Sequence, residues 1–223
     1  FGAAEYVAEY GKQEDERLTR LLRRSWNTLQ ACSFETLMDC PYYEQLQYIS
    51  DSRFDLLSLY ELTDDTRLAE NVLRQLSEGQ YPSGMLPCRY PTKEHAQYRA
   101  EPGEFYKLHI PSFTAFYIQM LHDFAKLRRN DALVRTLLSA ARKAAGYLAS
   151  TVGADGLLHA PGWNFIDWLD NWEAGIPPEC RYGEGCTLNL IYLLSLRQLA
   201  DLEQNFGAAE YVAEYGKQED ERL

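Results

Sequence analysis

Nothing in this sequence is long and apolar enough to cross a bilayer, which takes roughly 20 residues, and no charged and then apolar leader opens it at Phe1. A membrane is therefore not an expected partner, and the start of the gene product is expected upstream of Phe1. The five cysteines (Cys32, Cys40, Cys88, Cys180 and Cys186) contain no CxxC pair, which excludes a zinc-finger framework and a thioredoxin-like redox motif. Their odd number leans towards a reducing, cytoplasmic compartment with free thiols. The exception to watch is Cys180 and Cys186, which flank a glycine-containing loop and could pair in an oxidising one. The four histidines, His95, His109, His122 and His159, lack ligand spacing, so no metal is expected and no cofactor is implied. Basic residues are scarce as well: 22 Lys and Arg face 33 Asp and Glu, a formal charge of −11, which repels phosphate backbones and argues against nucleic acid or an anionic membrane surface. Neutral or cationic ligands fit that charge better.

What is present is helical. The 223 residues are 46% hydrophobic, enough for a sizeable core in one domain or part of a larger one. The alternation expected of strands is missing, while Leu18, Leu21, Leu22, Trp26 and Leu29 recur near helical period over 18–31. Pro41 suits the first turn of a second helix, capped by Asp39 or Cys40, with Leu46, Ile49, Phe54, Leu57 and Tyr60 on its apolar face. Asp64 or Asp65 should cap a third helix that runs to about Leu76 and is ended by Gly79 and Pro82. A long loop from Gln80 to about Pro111 follows, and loops of that length usually line sites. Helices over about 112–128 and 131–151, joined by a short turn, read as an antiparallel hairpin, and a last long helix spans about 187–205. Seven or eight helices and no strand predict an all-α fold, either an irregular bundle or part of a helical-hairpin barrel.

One oddity cuts across this pattern. Residues 1–18, FGAAEYVAEYGKQEDERL, recur letter for letter as residues 206–223. Divergent repeats do not look like this, so a duplicated or boundary segment is the expectation. Each copy reads as an amphipathic helix, with Tyr6, Val7 and Tyr10 near one stripe of the first, and both copies would suit the same docking groove.

Two segments carry candidate chemistry. In DCPYYEQLQYISDSR (39–53), Glu44 and Asp51 lie seven residues apart and would share one face of the helix begun by Pro41, with Asp39 in its cap. Carboxylates brought together raise one another's pKa, whereas the helix dipole lowers that of a capping group, so different protonation states could coexist as glycoside hydrolysis requires. The plainer reading is a capping aspartate on a solvated face. In HAPGWNFIDWLDNWEAGIPPE (159–179), Trp163, Trp168 and Trp172 alternate with Asn164, Asp167, Asp170 and Asn171. Flat rings beside carboxylates suit a sugar, which is apolar on one face and hydroxylated at its edge. The plainer reading is a helix that buries its tryptophans, which leaves Asp167 without a reason.

ETLMDCPYYEQLQYISDSR at 35–53 resembles the signature of the bacterial α-L-rhamnosidases, inverting glycoside hydrolases with a six-hairpin (α/α) barrel. IPSFTAFYIQMLHDF (110–124), WNFIDW (163–168), GIPPE (175–179) and TLNLIYLLSLRQLADL (187–202) are similar to that family in the same order. The resemblance implies antiparallel helical hairpins forming part of an (α/α)6 barrel in a single, incomplete catalytic domain over 1–223. It implies hydrolysis of terminal α-L-rhamnosyl linkages in a rhamnose-containing glycan or glycoside, with Glu44 as general acid. Asp39 and Asp51 would hold sugar hydroxyls, Trp163, Asp167 and Trp168 would lie against the sugar, Arg53 would orient a neighbouring carboxylate, and Cys40 and Pro41 would fix the turn that aims Glu44. Arg89 and Tyr90 would rim the pocket. The glutamate that activates water in the family has no match here, and Glu173, Glu179 and Glu184 are only formal substitutes. A non-catalytic carbohydrate-binding or scaffold module is the alternative, and a related helical-barrel hydrolase for another sugar a further one. Fewer helices than a closed barrel needs predict exposed apolar edges, which a homodimer through the terminal helices would cover.

Overall fold

A computed structural model describes residues 16–92, 109–180 and 185–221. Among these it has seven α-helices: α1 (Glu16–Cys32), α2 (Ile49–Leu62), α3 (Arg67–Glu78), α4 (Pro111–Leu127), α5 (Asp131–Ala149), α6 (Cys186–Phe206) and α7 (Ala209–Asp220). Extended backbone pairs only as isolated bridges among the described residues.

Helix α4 has apolar or small residues on nearly every side, and a helix of that kind must be surrounded. It packs against α2, α3, α5 and α6. Tyr117, Ile118, Leu121 and Phe124 are fully buried, as are the polar Ser112, Thr114 and Gln119, which are satisfied within the core. Gln119 donates to Ser195 Oγ of α6 at 3.0 Å, and Ser112 donates to the Phe165 carbonyl at 3.1 Å. Small residues Ala141, Ala144 and Ala145 bring α5 close to this core, as helix packing at short interaxial distance requires.

The short connections between helix pairs are fastened by side chains. Asn130 caps α5 by accepting the Leu133 N–H at 3.1 Å. Arg128, in the same turn, donates to the carbonyls of Tyr60 and Thr63 and stacks on the Tyr60 ring at 4.6 Å, which ties the C-terminus of α2 to the α4–α5 hairpin. Between α6 and α7, Gly207 lies so close to Glu203 that a Cβ would fall 1.7 Å from its carboxylate. Glu203 is buried and held by the fork of Arg142 at 2.7 and 2.8 Å.

The helical expectations for 112–128, 131–151 and 187–205 agree with α4, α5 and α6 to within two residues. The third helix is capped at Thr66 instead of Asp64 or Asp65, although Asp65 Oδ1 accepts the Arg67 N–H at 3.1 Å. The second expectation fails in its start. Residues 41–44 form a turn, Gln45 takes a φ of +55°, and helix begins only at Ile49. A left-handed residue cannot sit inside a right-handed helix, so the chain reaches α2 with a different phase. The inward face of α2 is therefore Ile49, Ser52, Leu56, Leu59 and Tyr60, while Phe54 is exposed.

Of the duplicated segment, the second copy forms the last residue of α6 and then α7. Its Tyr215 is buried, and its Tyr211 stacks on Tyr215 and lies 4.0 Å from the Arg142 guanidinium. In the first copy, residues 1–15 lie outside the described residues and Glu16 to Leu18 open α1. Leu18, Leu21 and Leu22 of α1 face solvent, as do Leu190 and Leu194 of α6, so apolar surface is exposed on both helices. All five cysteines are free thiols, including Cys180 and Cys186.

Candidate active site

The candidate site begins in the turn that displaced the second helix. Asp39 closes it twice: its N–H donates to the Leu46 carbonyl at 2.9 Å, and its Oδ1 accepts the Leu46 N–H at 2.9 Å. Inside this ring Cys40 Sγ accepts the Glu44 N–H at 3.2 Å, and the Pro41 carbonyl accepts from the Gln45 side chain at 3.0 Å. Cys40 and Pro41 thus fix the turn that carries Glu44. Gln47, buried beneath it, spends its amide on three segments: Oε1 accepts the Leu37 N–H, while Nε2 donates to the Tyr90 carbonyl and to Gln75. A buried amide satisfied in this way pins the turn to the body of the protein.

The second wall is the tryptophan segment, which forms no α-helix and has only short 3-10 turns at Glu173–Gly175 and Pro178–Cys180. Residues 163–169 run as an extended arm above the N-terminus of α4, held where Trp163 N–H donates to the His109 carbonyl and Ile166 N–H to the Gly175 carbonyl. Gly175 adopts a φ of +71° with the Phe165 ring so close that a Cβ would lie 2.3 Å from it, so only glycine fits there. Trp163, Phe165 and Trp168 form one aromatic cluster with ring centroids 4.9 to 6.0 Å apart. Trp163 and Phe165 pack on the core, whereas Trp168 is 67% exposed.

Between these walls lies a cleft of about 350 Å³ whose lining includes Asp39, Glu44, Tyr48, Ser50, Asp51, Phe54, Trp163, Asp167 and Trp168. That volume is in the range of sites for small ligands. Six of the seven residues expected from the sequence meet here. Glu44 and Asp51 arrive from a turn and from the first turn of α2, not from one helical face, and Asp39 closes the turn instead of capping a helix. Arg53 does not line the cleft: its Nε donates to Asp123 of α4 at 2.7 Å. Arg89 is not in the cleft lining but donates to the Tyr48 hydroxyl, which is, at 2.8 Å. Glu173 and Glu179 do not line the cleft, and Glu184 lies outside the described residues.

Burial, reinforced by the charges of Asp39, Glu44 and Asp167 and opposed by a backbone hydrogen bond, pushes the Asp51 carboxyl above the usual range. The carboxyl raised furthest is one that sequence reasoning missed. Asp55, one turn beyond Asp51 on α2, is pushed up to about 7 by burial and then by the charges of Asp51 and Asp39. It lines a second cavity of about 620 Å³ between α1 and α2, which Asp39 also borders. The i, i+4 spacing from Asp51 was the signal that could have found it. Tyr48 and Ser50 were also missed, and Phe54 had been assigned to the core. Among the described residues no cluster of His, Cys, Asp and Glu is arranged to hold a metal.

With the site described, the chain can be set beside known proteins. Residues 12–222 match the family described as the bacterial alpha-L-rhamnosidase 6 hairpin glycosidase domain. None of the curated proteins matches. Among solved structures, the GH78 family rhamnosidase of Bacillus sp. GL1 is 24% identical with a TM-score of 0.73, over 88% of this chain and 19% of its own. A rhamnosidase from Klebsiella oxytoca with rhamnose bound is 18% identical with a TM-score of 0.74, over 95% of this chain and 38% of its own. An alpha-L-rhamnosidase from Dictyoglumus thermophilum is 14% identical, TM-score 0.66, over 86% and 20%. The chain thus spans less than two fifths of the length of these neighbours, and at such identities they establish the all-helical hairpin fold alone.

Proposed function

Because the chain belongs to the bacterial α-L-rhamnosidase six-hairpin glycosidase family, we propose that its cleft binds a terminal α-L-rhamnosyl unit and that the domain takes part in the inverting hydrolysis of that linkage. The observation that carries this reading is the meeting of Asp39, Glu44, Asp51 and Asp167 with Trp163 and Trp168 around one small cleft. Aromatic faces receive the apolar side of a deoxysugar, and carboxylates accept its hydroxyls. Glu44, on the exposed rim, is the acid that protonates the glycosidic oxygen. Asp39 and Asp51 hold hydroxyls deeper in the cleft, and Asp167 and Trp168 close over the sugar from the arm. Inversion also requires a second carboxylate that activates water roughly 6.5 to 9.5 Å from the acid.

Since Glu173 and Glu179 lie off the cleft, a second reading is supported too, in which this chain binds the sugar without turning it over. Calorimetric titration with L-rhamnose, L-fucose and D-mannose, repeated on Asp51→Asn, tests the shared part of both. Selective rhamnose binding, weakened about tenfold or more by the substitution as expected for a lost charged hydrogen bond, is the predicted result. No selective binding by the folded chain would end both. Hydrolysis of an aryl α-L-rhamnoside that is abolished in Glu44→Gln separates them in favour of the first, and a panel of other glycosides exposes a different sugar preference.

A further inference from the structure

Glu44 does not stand alone at the cleft rim. The Tyr48 hydroxyl lies 2.8 Å from Glu44 Oε2, and Arg89 Nη1 lies 2.8 Å from the same hydroxyl. A guanidinium has donors only, so Tyr48 accepts from Arg89, and its single proton goes to Glu44 Oε2 whenever that oxygen is unprotonated. Burial and then the hydrogen bond to Glu44 hold the Tyr48 hydroxyl above its usual range, so it stays a donor at any working pH.

The arrangement is also built into the backbone. Tyr48 and Arg89 face each other across an isolated antiparallel bridge, flanked by Ile49 N–H to the Cys88 carbonyl and Tyr90 N–H to the Gln47 carbonyl. The guanidinium lies 5.5 Å from the centre of the Tyr48 ring, and the ring meets Phe113 edge-on at 6.4 Å. Tyr48 thus has its backbone, its ring and its hydroxyl all fixed before any ligand enters.

We propose that Tyr48 and Arg89 are positioning residues for Glu44: they hold Oε2, leave Oε1 to carry the proton to the leaving group, and stabilise the carboxylate that remains once the proton has gone. A hydrogen bond to a neutral acid becomes charge-assisted as that acid ionises, so this contact strengthens along the reaction and lowers the barrier instead of merely tightening binding. Among the described residues, the other charged groups that line the cleft with Glu44 are acidic: Asp51 on α2, Asp39 in the turn and Asp167 on the arm. On this acidic wall the Arg89–Tyr48 pair brings Glu44 a hydrogen-bond donor backed by a cation. This inference rests on reading Glu44 as the acid.

The first test does not require turnover. Carbon-13 NMR of glutamate carboxyls follows the titration of Glu44 in the unaltered chain, in Tyr48→Phe and in Arg89→Gln, with Glu44→Gln supplying the assignment. The titration midpoint should move to higher pH in Tyr48→Phe and, by less, in Arg89→Gln. An unmoved midpoint in folded variants overturns the proposal. The second test compares aryl α-L-rhamnosides with good and poor leaving groups. Tyr48→Phe should lower kcat roughly 10- to 100-fold for the poor leaving group, the size of one hydrogen bond to a charged group, and far less for a dinitrophenyl one that needs no proton. Equal losses on both would mean that Tyr48 only supports the fold. If the unaltered chain turns over neither substrate, the hydrolase reading fails while the NMR comparison still decides whether the donor chain acts on Glu44.

Discussion

The α4–α5 hairpin and the cleft lie next to each other in the same chain, yet they are built on opposite terms. In the hairpin, Phe124, Tyr117, Ile118 and Leu138 are buried among other apolar groups, and a single side-chain cap at Asn130 suffices to start α5. Around the cleft, the backbone leaves regular structure, Gln45 and Ala174 take φ values of +55° and +52°, and carboxyls are placed where burial and like charges work against their ionisation. The hairpin supplies stability that the cleft consumes, a common division between scaffold and site.

The largest effect is expected in the hairpin. Phe124 is fully buried between α4 and α2, tilted against Tyr60 at 6.5 Å. Phe124→Ala removes that burial and leaves a cavity, which costs about 3–5 kcal/mol. Urea unfolding followed by circular dichroism should show the midpoint falling accordingly. A loss below about 1 kcal/mol would mean that the hairpin is not the stabilising half of the molecule.

The next effect is expected beside the cleft, in the cavity between α1 and α2, and has the opposite sign. Asp55 has its folded pKa raised to about 7, above an unfolded value near 3.9. The folded state therefore binds this proton more tightly than the unfolded chain does. The resulting stability is fully present below about pH 4, declines between pH 4 and 7, and is gone above pH 7. Over the whole window the difference is about 4 kcal/mol. Asp55→Asn keeps the shape of the protonated form, so it should match the unaltered chain near pH 4 and exceed it in stability by a few kcal/mol at pH 8. Unfolding midpoints measured from pH 4 to 8 check this, and a variant that is less stable at pH 8 would show that the ionised carboxylate has a favourable partner.

How far the sequence could be read follows the same division. Periodicity located α4, α5 and α6 to within two residues because their stability comes from apolar faces that repeat with the helix. It could not see that Gln45 is left-handed, since that conformation is imposed by Asp39 closing onto Leu46 across the turn. The inward face of α2 was therefore legible only in part: Ile49 and Tyr60 are buried as expected, whereas Phe54 is exposed. The residues that line the candidate cleft were nonetheless largely legible, because Asp39, Glu44, Asp51, Trp163 and Trp168 lie in motifs whose spacing survives changes in local conformation. What the motifs did not reveal was anything held by a long-range contact. Arg53 is drawn to Asp123 seventy residues away, Asp55 acquires its character from a cavity, and Tyr48 acquires its partner across the isolated bridge to Arg89.

The smallest effect on stability is expected where the aromatic arm meets solvent, and there it should part company with function. Trp168 touches Trp163 and Phe165 by its ring but is 67% exposed, so truncating it removes little buried area. Trp168→Ala should change the unfolding free energy by only about 0.5 kcal/mol, as surface substitutions do. If the arm is the lid of a sugar site, the same variant should bind L-rhamnose roughly tenfold more weakly, in line with the 0.5–1.5 kcal/mol that aromatic contacts supply beyond area. Equal affinity in the two proteins would place the sugar against the turn and α2 alone. A large loss of stability would instead make the arm part of the core, and the contrast between hairpin and cleft would no longer hold on that side of the molecule.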